Sequence, residues 1–316
     1  MNATASEHLV VPDWVSRLDP PPCFEPFDNP VEGLPVGSTS KVGVLDVHLA
    51  DDDGITRIRR RHASGPLCLL HPLYIDPGRP DMAFLYTIQL GGGLLQGDRY
   101  RVTLDCGPRT AVHLTSQAAT KVYRMEQNYA AQVVEITARE GALVEYLPDP
   151  VIPFRGSRFY QRIRAGVAES ATLILGEVLL PGRVARGEKH AYDLFHSDVE
   201  VSRPDKTLVF ADRTSLAPPL ATPRSPGRLG AGGVLATLFI VTSKLPPAVL
   251  ADHLWELLGD ETSVRGGVSE LPNGAGVSVR LLGERSMDVQ DAFRHAWDRA
   301  RQAVVGVPAP NLRKDG

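Results

Sequence analysis

Cysteine is scarce in this chain. Cys23, Cys68 and Cys106 lie far apart, are odd in number and form no CxxC pair, which argues against a disulfide framework or a structural zinc site. Clustered histidine is missing as well. The nine histidines, His8, His48, His62, His71, His113, His190, His196, His253 and His295, make no HxH, HExxH or Cys–His group, so the sequence supports no catalytic metal cage. No GxSxG occurs, and Ser116 and Lys121 are five apart rather than in SxxK spacing, so nucleophile signatures are absent. No apolar run reaches the ~18 residues of a membrane span. The start, MNATASEHLVVPDW, has neither a basic n-region nor a long apolar core, unlike a signal peptide; a reducing cytoplasm is the expected compartment. A strong charge bias is also lacking. The net charge is −3, from 34 basic and 37 acidic residues, so nothing global steers the chain to nucleic acid or an anionic membrane. The one basic cluster, Arg57-Ile58-Arg59-Arg60-Arg61, follows Asp51-Asp52-Asp53 and reads as a solvated strand or loop edge.

What is present is enough apolar matter for a large core: 43% of 316 residues. Residues 1–40 are rich in Pro, Asp and Gly and read as an extension, mobile or draped over the body. From Lys41 onward short alternating runs dominate. In Lys41–Ala50, Val42, Val44, Asp46 and His48 fall on one side and Gly43, Leu45, Val47 and Leu49 on the other. Similar runs cover 84–90, 101–104, 111–116, 131–138, 143–147, 159–165, 172–179, 192–202, 207–211, 233–242 and 276–282. Turn residues separate them and no helical period intervenes, which predicts a mainly β body over 41–306 rather than βαβ units. No fixed repeat of 20–50 residues is visible, so a regular solenoid does not follow from the sequence. Two late helices are predicted, at about 247–259, opened by Pro246-Pro247 and stopped by Gly259, and at about 288–305, with Asp288 as N-cap and Gly306 and Pro308 as stop. The stripe Val289, Ala292, Phe293, Ala296, Trp297, Ala300 and Val304 is expected to pack on the β body. Residues 307–316 read as a flexible tail.

Four segments could carry function. In Gly91-Gly92-Gly93-Leu94-Leu95-Gln96-Gly97-Asp98 the glycines permit tight turns or close backbone approach. No helix start or GK[ST] follows, and Asp98 would repel a phosphate, so a turn closed by Asp98 bonding local amides is the plainer reading. In Thr115-Ser116-Gln117-Ala118-Ala119-Thr120-Lys121-Val122-Tyr123-Arg124 hydroxyls, amides and cations gather without a nucleophile–base pair. Leu147-Pro148-Asp149-Pro150-Val151-Ile152-Pro153-Phe154 is a rigid extended crossing. Its Asp149, with Glu145 nearby, could serve acid–base work or line a wet passage that holds a divalent cation weakly. In the fourth segment, 175–188, Glu177 sits in an apolar strand, a costly place for a carboxylate unless it is paired, hydrated or ion-bound; Arg183 or Arg186 could pair with it.

Taken in order, GGGLLQGD, TSQAATKVYR, LPDPVIPF and LLPGRVARGE resemble the motifs of the urease accessory protein family UreD, also called UreH. The resemblance runs from about Gly65 to Leu282 and rests on Gly91, Gly92, Gly97, Asp98, Thr115, Gln117, Thr120, Lys121, Tyr123, Arg124, Pro148, Pro153, Phe154, Gly182, Arg183, Gly187 and Glu188. Gln96 stands where the family usually has glycine. The resemblance implies an irregular β-helix-like body with two helices and no catalytic activity. It implies binding to apo-urease in a complex with UreF and the GTPase UreG. It also implies nickel in transit through an internal wet channel, with no tightly bound cofactor. On that reading Glu145, Asp149 and Glu177 are the candidate acidic groups of the nickel path, with Asp98, Thr115, Gln117 and Thr120 nearby. Loosely binding oxygens suit an ion in transit, since a His/Cys cage would retain it. Two other expectations stand beside it. One is a β-helix hydrolase or lyase on a sugar polymer, whose retaining form needs two carboxyls about 5–5.5 Å apart. The other is a generic binding module that docks through the two helices.

Overall fold

A computed structural model describes residues 12–29, 40–225, 227–258 and 263–312. Seventeen strands occur among them in chain order: β1 (Val42–Asp52), β2 (Ile55–Ser64), β3 (Leu67–Leu69), β4 (Ala83–Gln89), β5 (Arg99–Cys106), β6 (Ala111–Ser116), β7 (Thr120–Val122), β8 (Ala130–Ala138), β9 (Leu143–Tyr146), β10 (Val151–Pro153), β11 (Arg158–Val167), β12 (Thr172–Leu179), β13 (Leu194–Ser202), β14 (Leu208–Leu216), β15 (Val234–Val241), β16 (Val264–Glu270) and β17 (Gly276–Gly283). The mainly β expectation holds. The runs 111–116 and 172–179 match β6 and β12, while β3, β7, β10 and β16 have no counterpart in the sequence reading. β3, β7 and β10 are three-residue strands, too short for alternation to show.

The strands form two facing sheets. One is seven-stranded, in the order β14-β13-β11-β8-β5-β1-β2. The other follows β16-β17-β15-β12-β9-β6-β4-β3, with β7 and β10 beside it. From β4 to β13 the chain passes back and forth between them, and each return lays a strand parallel to its predecessor. This is a solenoid of unequal coils. Ala83 pairs with Val112, a step of 29, and Val112 with Val144, a step of 32. On the other sheet Val133 pairs with Arg162, a step of 29, but Arg162 pairs with Asp198, a step of 36. Changing coil length is why no period shows in the sequence. Antiparallel strands finish the ends, and the arginine cluster lies on edge strand β2. There Arg57 and Arg59 reach Asp52 at 3.2 and 2.7 Å, a charged border that discourages edge-to-edge pairing.

Alternation fills the space between the sheets. Leu45, Val47 and Leu49 meet Val102, Leu104, Val134, Ile136, Leu173 and Leu175 in the main core. A second core lies on the outer face of the larger sheet, beneath helices α2 (Pro247–Leu258) and α3 (Ser286–Val305); α1 is a single turn, Asp13–Ser16. On α3, Val289, Ala292, Ala296, Trp297, Ala300 and Val304 are buried at the expected spacing. Two details differ from expectation. The N-cap is Arg285, with Asp288 in the first turn, where an acidic group favours the helix N-terminus. Gly259 lies outside the described residues. Gly306 ends α3 in the left-handed conformation as expected (φ 84°).

Of the proline-rich extension, residues 12–29 drape over the outer face of the seven-stranded sheet. Phe24 is buried against Tyr129 and Tyr160, with ring centroids 4.8 and 5.6 Å away. Arg158 stacks on Phe27 at 4.1 Å, and Arg162 donates to the Leu18 carbonyl at 2.8 Å. The tail expected to be flexible is packed as far as it is described: Asp298 accepts from the Ala309 amide at 2.6 Å and Tyr86 donates to the Leu312 carbonyl at 3.2 Å. Residues 313–316 lie outside the described region.

Candidate functional site: a polar seam between the sheets

Strand register lines up one polar residue per strand on each inner face. Across the seven-stranded sheet Tyr100 pairs with Gln132, Gln132 with Gln161, Gln161 with Ser197 and Ser197 with Thr214. Facing them on the other sheet, Thr87 pairs with Ser116, and Glu177 pairs with Thr237, which pairs with Arg280. Pro148 bridges the gap between Ser116 and Glu177. With strands about 4.8 Å apart, five rungs span about 19 Å. The neighbouring row of the smaller sheet, Val102, Val134, Ile163 and Val199, is dry core.

Two cavities lie along the seam. The larger, about 140 Å³, is lined by Thr87, Gln89, Tyr100, Ser116, Gln132 and Tyr146 among others. The smaller, about 30 Å³, is lined by Asp149, Gln161, Glu177, Ser197, Thr214 and Thr237. Room for about two waters is too little for a sugar ring, so Glu177 does not serve a carbohydrate hydrolase. An open groove of about 700 Å³ runs beside α3, bordered by Asp149, Asp291, Arg294, His295 and Asp298. Pro148 lines all three spaces, and Asp149 lines the smaller cavity and the groove. The rigid proline crossing read from the sequence is therefore the junction of the system.

Glu177 is the central carboxylate. Ser197 Oγ donates to its Oε1 at 2.6 Å, and Gln161 Nε2 donates to the same oxygen. Glu177 is half-buried and lines the small cavity, with its carboxylate among protein groups rather than out in solvent. Burial therefore pushes its pKa up to about 7 against the pull of Ser197 and Gln161, with Asp212 adding to the rise. The arginines expected to pair with it are elsewhere: Arg183 binds Glu188 at 2.6 Å, and Arg186 is exposed at the end of a short turn. Asp149 sits at the rim, where its amide donates to Ser116 Oγ at 2.8 Å and its Oδ2 lies 3.3 Å from the same hydroxyl.

Glu145 does not join them. It precedes Tyr146, whose ring faces the seam, so alternation turns Glu145 to the opposite face of the sheet. There it is fully buried beneath α3. His113 Nδ1 lies 2.8 Å from its Oε2, Trp297 Nε1 donates to that oxygen at 3.2 Å, and Arg301 Nε lies 3.2 Å from Oε1. Arg301 also holds Asp76 at 2.6 Å. Glu145 thus ties β9 to α3 and lines neither of the seam's cavities.

The remaining motif residues build the flank around the larger cavity. TSQAATKVYR is strand, loop and strand: Thr115 and Ser116 end β6, Gln117–Ala119 cross over and Thr120–Val122 form β7. Thr115 turns away from the seam and donates to the Leu147 carbonyl at 2.6 Å. Gln117, Thr120 and Lys121 border the cavity. Asp98 is buried, ion-paired with Lys41 at 3.0 Å, and accepts from the Lys41 and Leu95 amides at 2.8 and 2.9 Å. It closes the glycine turn and lines neither of the two cavities. Tyr123 packs on Phe154 (4.9 Å) and Phe154 under Arg183 (4.0 Å). Gly93 lies against Tyr123, where an added Cβ would come within 2.3 Å of the ring. Gln96, the departure from the family pattern, accepts from the Glu126 and Gln127 amides at 3.1 and 3.4 Å.

Sequence reasoning missed Tyr100, Gln132, Gln161, Ser197, Thr214 and Thr237. The available signal was a polar residue at an inward parity of an apolar strand, as with Gln132 and Gln161, one coil step of 29 apart.

Comparison with known proteins places the sequence in a family. The family described as UreD urease accessory protein matches residues 41–315. Urease accessory protein UreD 2 of Streptomyces griseus is 44% identical over 292 residues, covering 89% of this chain and 96% of its own. The UreD of Cenarchaeum symbiosum is 34% identical over 281 residues (89% and 99%), and that of Haloarcula marismortui 36% over 298 residues (93% and 98%). The draped segment 12–29 precedes the family match, and the seam, its junction and the flanking motifs all fall within it. The chain belongs to the UreD family of urease accessory proteins, which assist an enzyme and are not enzymes themselves.

Proposed function

We propose that the chain is a scaffold that binds apo-urease in a complex with UreF and the GTPase UreG, and that nickel on its way to the urease centre passes along the polar seam. The observation that carries this reading is the register: hydroxyls, amides and the Glu177 carboxylate stand in one line between the sheets, with Asp149 where the line meets the surface groove. Among the described residues no three His, Cys, Asp or Glu side chains gather into a metal-holding group. Single carboxylates with neutral oxygens bind a first-row cation loosely, which a donor of metal requires. Nucleotide chemistry belongs to UreG in this scheme.

Glu177→Gln and Glu177→Lys, co-expressed with urease and the other accessory proteins, test the path. Nickel in purified urease should fall several-fold with the neutral variant and further with the cationic one, while UreF still co-purifies with both. Full nickel content with the lysine variant would remove Glu177 from any path.

A further inference from the structure

Residues 12–29 form a strap over the outer face of the seven-stranded sheet and precede the unit shared with the family. What they cover is basic and aromatic: Arg101 on β5, Arg158, Tyr160 and Arg162 on β11, and Tyr129 at the start of β8. The strap answers the rings of this face but not its charge. Phe24 lies against Tyr129 and Tyr160, and Trp14 and Phe27 offer their rings to Arg101 and Arg158 at 5.7 and 4.1 Å. The strap carries Asp13, Asp19, Glu25 and Asp28 against a single arginine, yet none of these carboxylates pairs with an arginine of the sheet. Asp13 reaches Arg17 of its own turn at 3.7 Å, and Asp28 accepts from the Tyr129 hydroxyl at 3.3 Å. Arg162 meets the strap at the Leu18 carbonyl and has no carboxylate partner among the described residues. Nε of Arg101, Arg158 and Arg162, Nε1 of Trp14 and both ring nitrogens of His196 are buried without a hydrogen-bond partner. Each has given up water for nothing, which weakens the docked state.

We propose that this face is a docking site for an acidic segment of a partner protein with one aromatic anchor, and that the strap occupies it in cis until such a segment displaces it. An incoming aromatic ring takes the Phe24 site. Its flanking carboxylates bond the guanidinium edges that the strap leaves idle, and charge-assisted, bidentate bonds of that kind are the strong ones. The strap sets a threshold, because a ligand binds only the fraction of molecules in which the face is open. A protein segment fits better than a nucleic acid. Asp46 and Asp193 stand beside Arg101 and Arg158 at 3.2 and 2.8 Å and interrupt the positive charge that a phosphate chain needs. None of this depends on nickel passing along the seam.

Fluorescence anisotropy with the labelled peptide EEEEFEEEE tests the site on the full chain. Phe24→Ala, which undocks the strap, should bind it roughly tenfold more tightly than the wild type, and QQQQFQQQQ should bind neither. Arg158→Gln and Arg162→Gln, each added to Phe24→Ala, should weaken binding several-fold. Leu18→Ala removes a second buried anchor of the strap and serves if Phe24→Ala folds poorly. Equal affinity of the wild type and the strap variants for the peptide, or of the opened face for the two peptides, would overturn the proposal. So would an oligothymidylate that binds the opened face as tightly as the glutamate peptide.

Discussion

At the scale of single residues, two carboxylates of the same chemistry have opposite fates. Glu145 is matched on every side by Arg301, Trp297 and His113, whereas Glu177 has only neutral donors in contact. Removing the charge at Glu145 leaves Arg301 buried with Asp76 as its one carboxylate, which costs on the order of 3 kcal/mol. Glu145→Gln should therefore lower the urea midpoint of unfolding, and Glu177→Gln should leave it unchanged or raise it. The sign at Glu177 follows from linkage. Between its usual 4.5 and about 7 the folded chain keeps a proton that the unfolded chain has lost, so its contribution favours folding less as pH rises through that window.

At the scale of elements, packing decides what each segment does. β12 can lie under α3 because Gly176 leaves room for Phe293, whose ring would be 2.4 Å from an added Cβ. The segment 12–29 is a single α turn and a short 3-10 helix, Pro22–Phe27, held by the buried ring of Phe24 beside Leu18, with arginines stacked over Phe27 and Trp14. Phe24→Ala removes about 3–5 kcal/mol of burial and packing, more than this short segment can lose and stay docked. Trypsin should then cut at the exposed Arg17 many times faster, with the thermal transition of the β body little changed. Equal cleavage rates would show that the segment is held by other contacts.

At the scale of the whole molecule, the seam is a property of register. It costs the core a polar row, so filling it should stabilise the protein while spoiling its task. Gln132→Leu, at mid-seam, is expected to raise stability by about 1 kcal/mol in urea unfolding and to lower nickel delivery to urease in the co-expressed system. Gain without loss of delivery would separate the seam from the function.

The β class, most strand positions and both late helices were legible because alternation and helical spacing are local signals. So was the importance of the proline crossing, whose rigidity follows from Pro148, Pro150 and Pro153 themselves. The solenoid was not legible, since its coils advance by 29, 32 or 36 residues and no constant period remains. Nor was the pairing of Glu145 with Arg301, which lies 156 positions along the chain.

The sequence by itself determined which residues face inward on each strand, because side chains alternate, and which family motifs the chain carries. Only the tertiary structure decided that Gln132, Gln161, Ser197 and Glu177 share one polar line between the sheets while Glu145 faces away from it beneath α3. Cross-strand register joins residues about thirty positions apart, and it is set by where the turns place each coil.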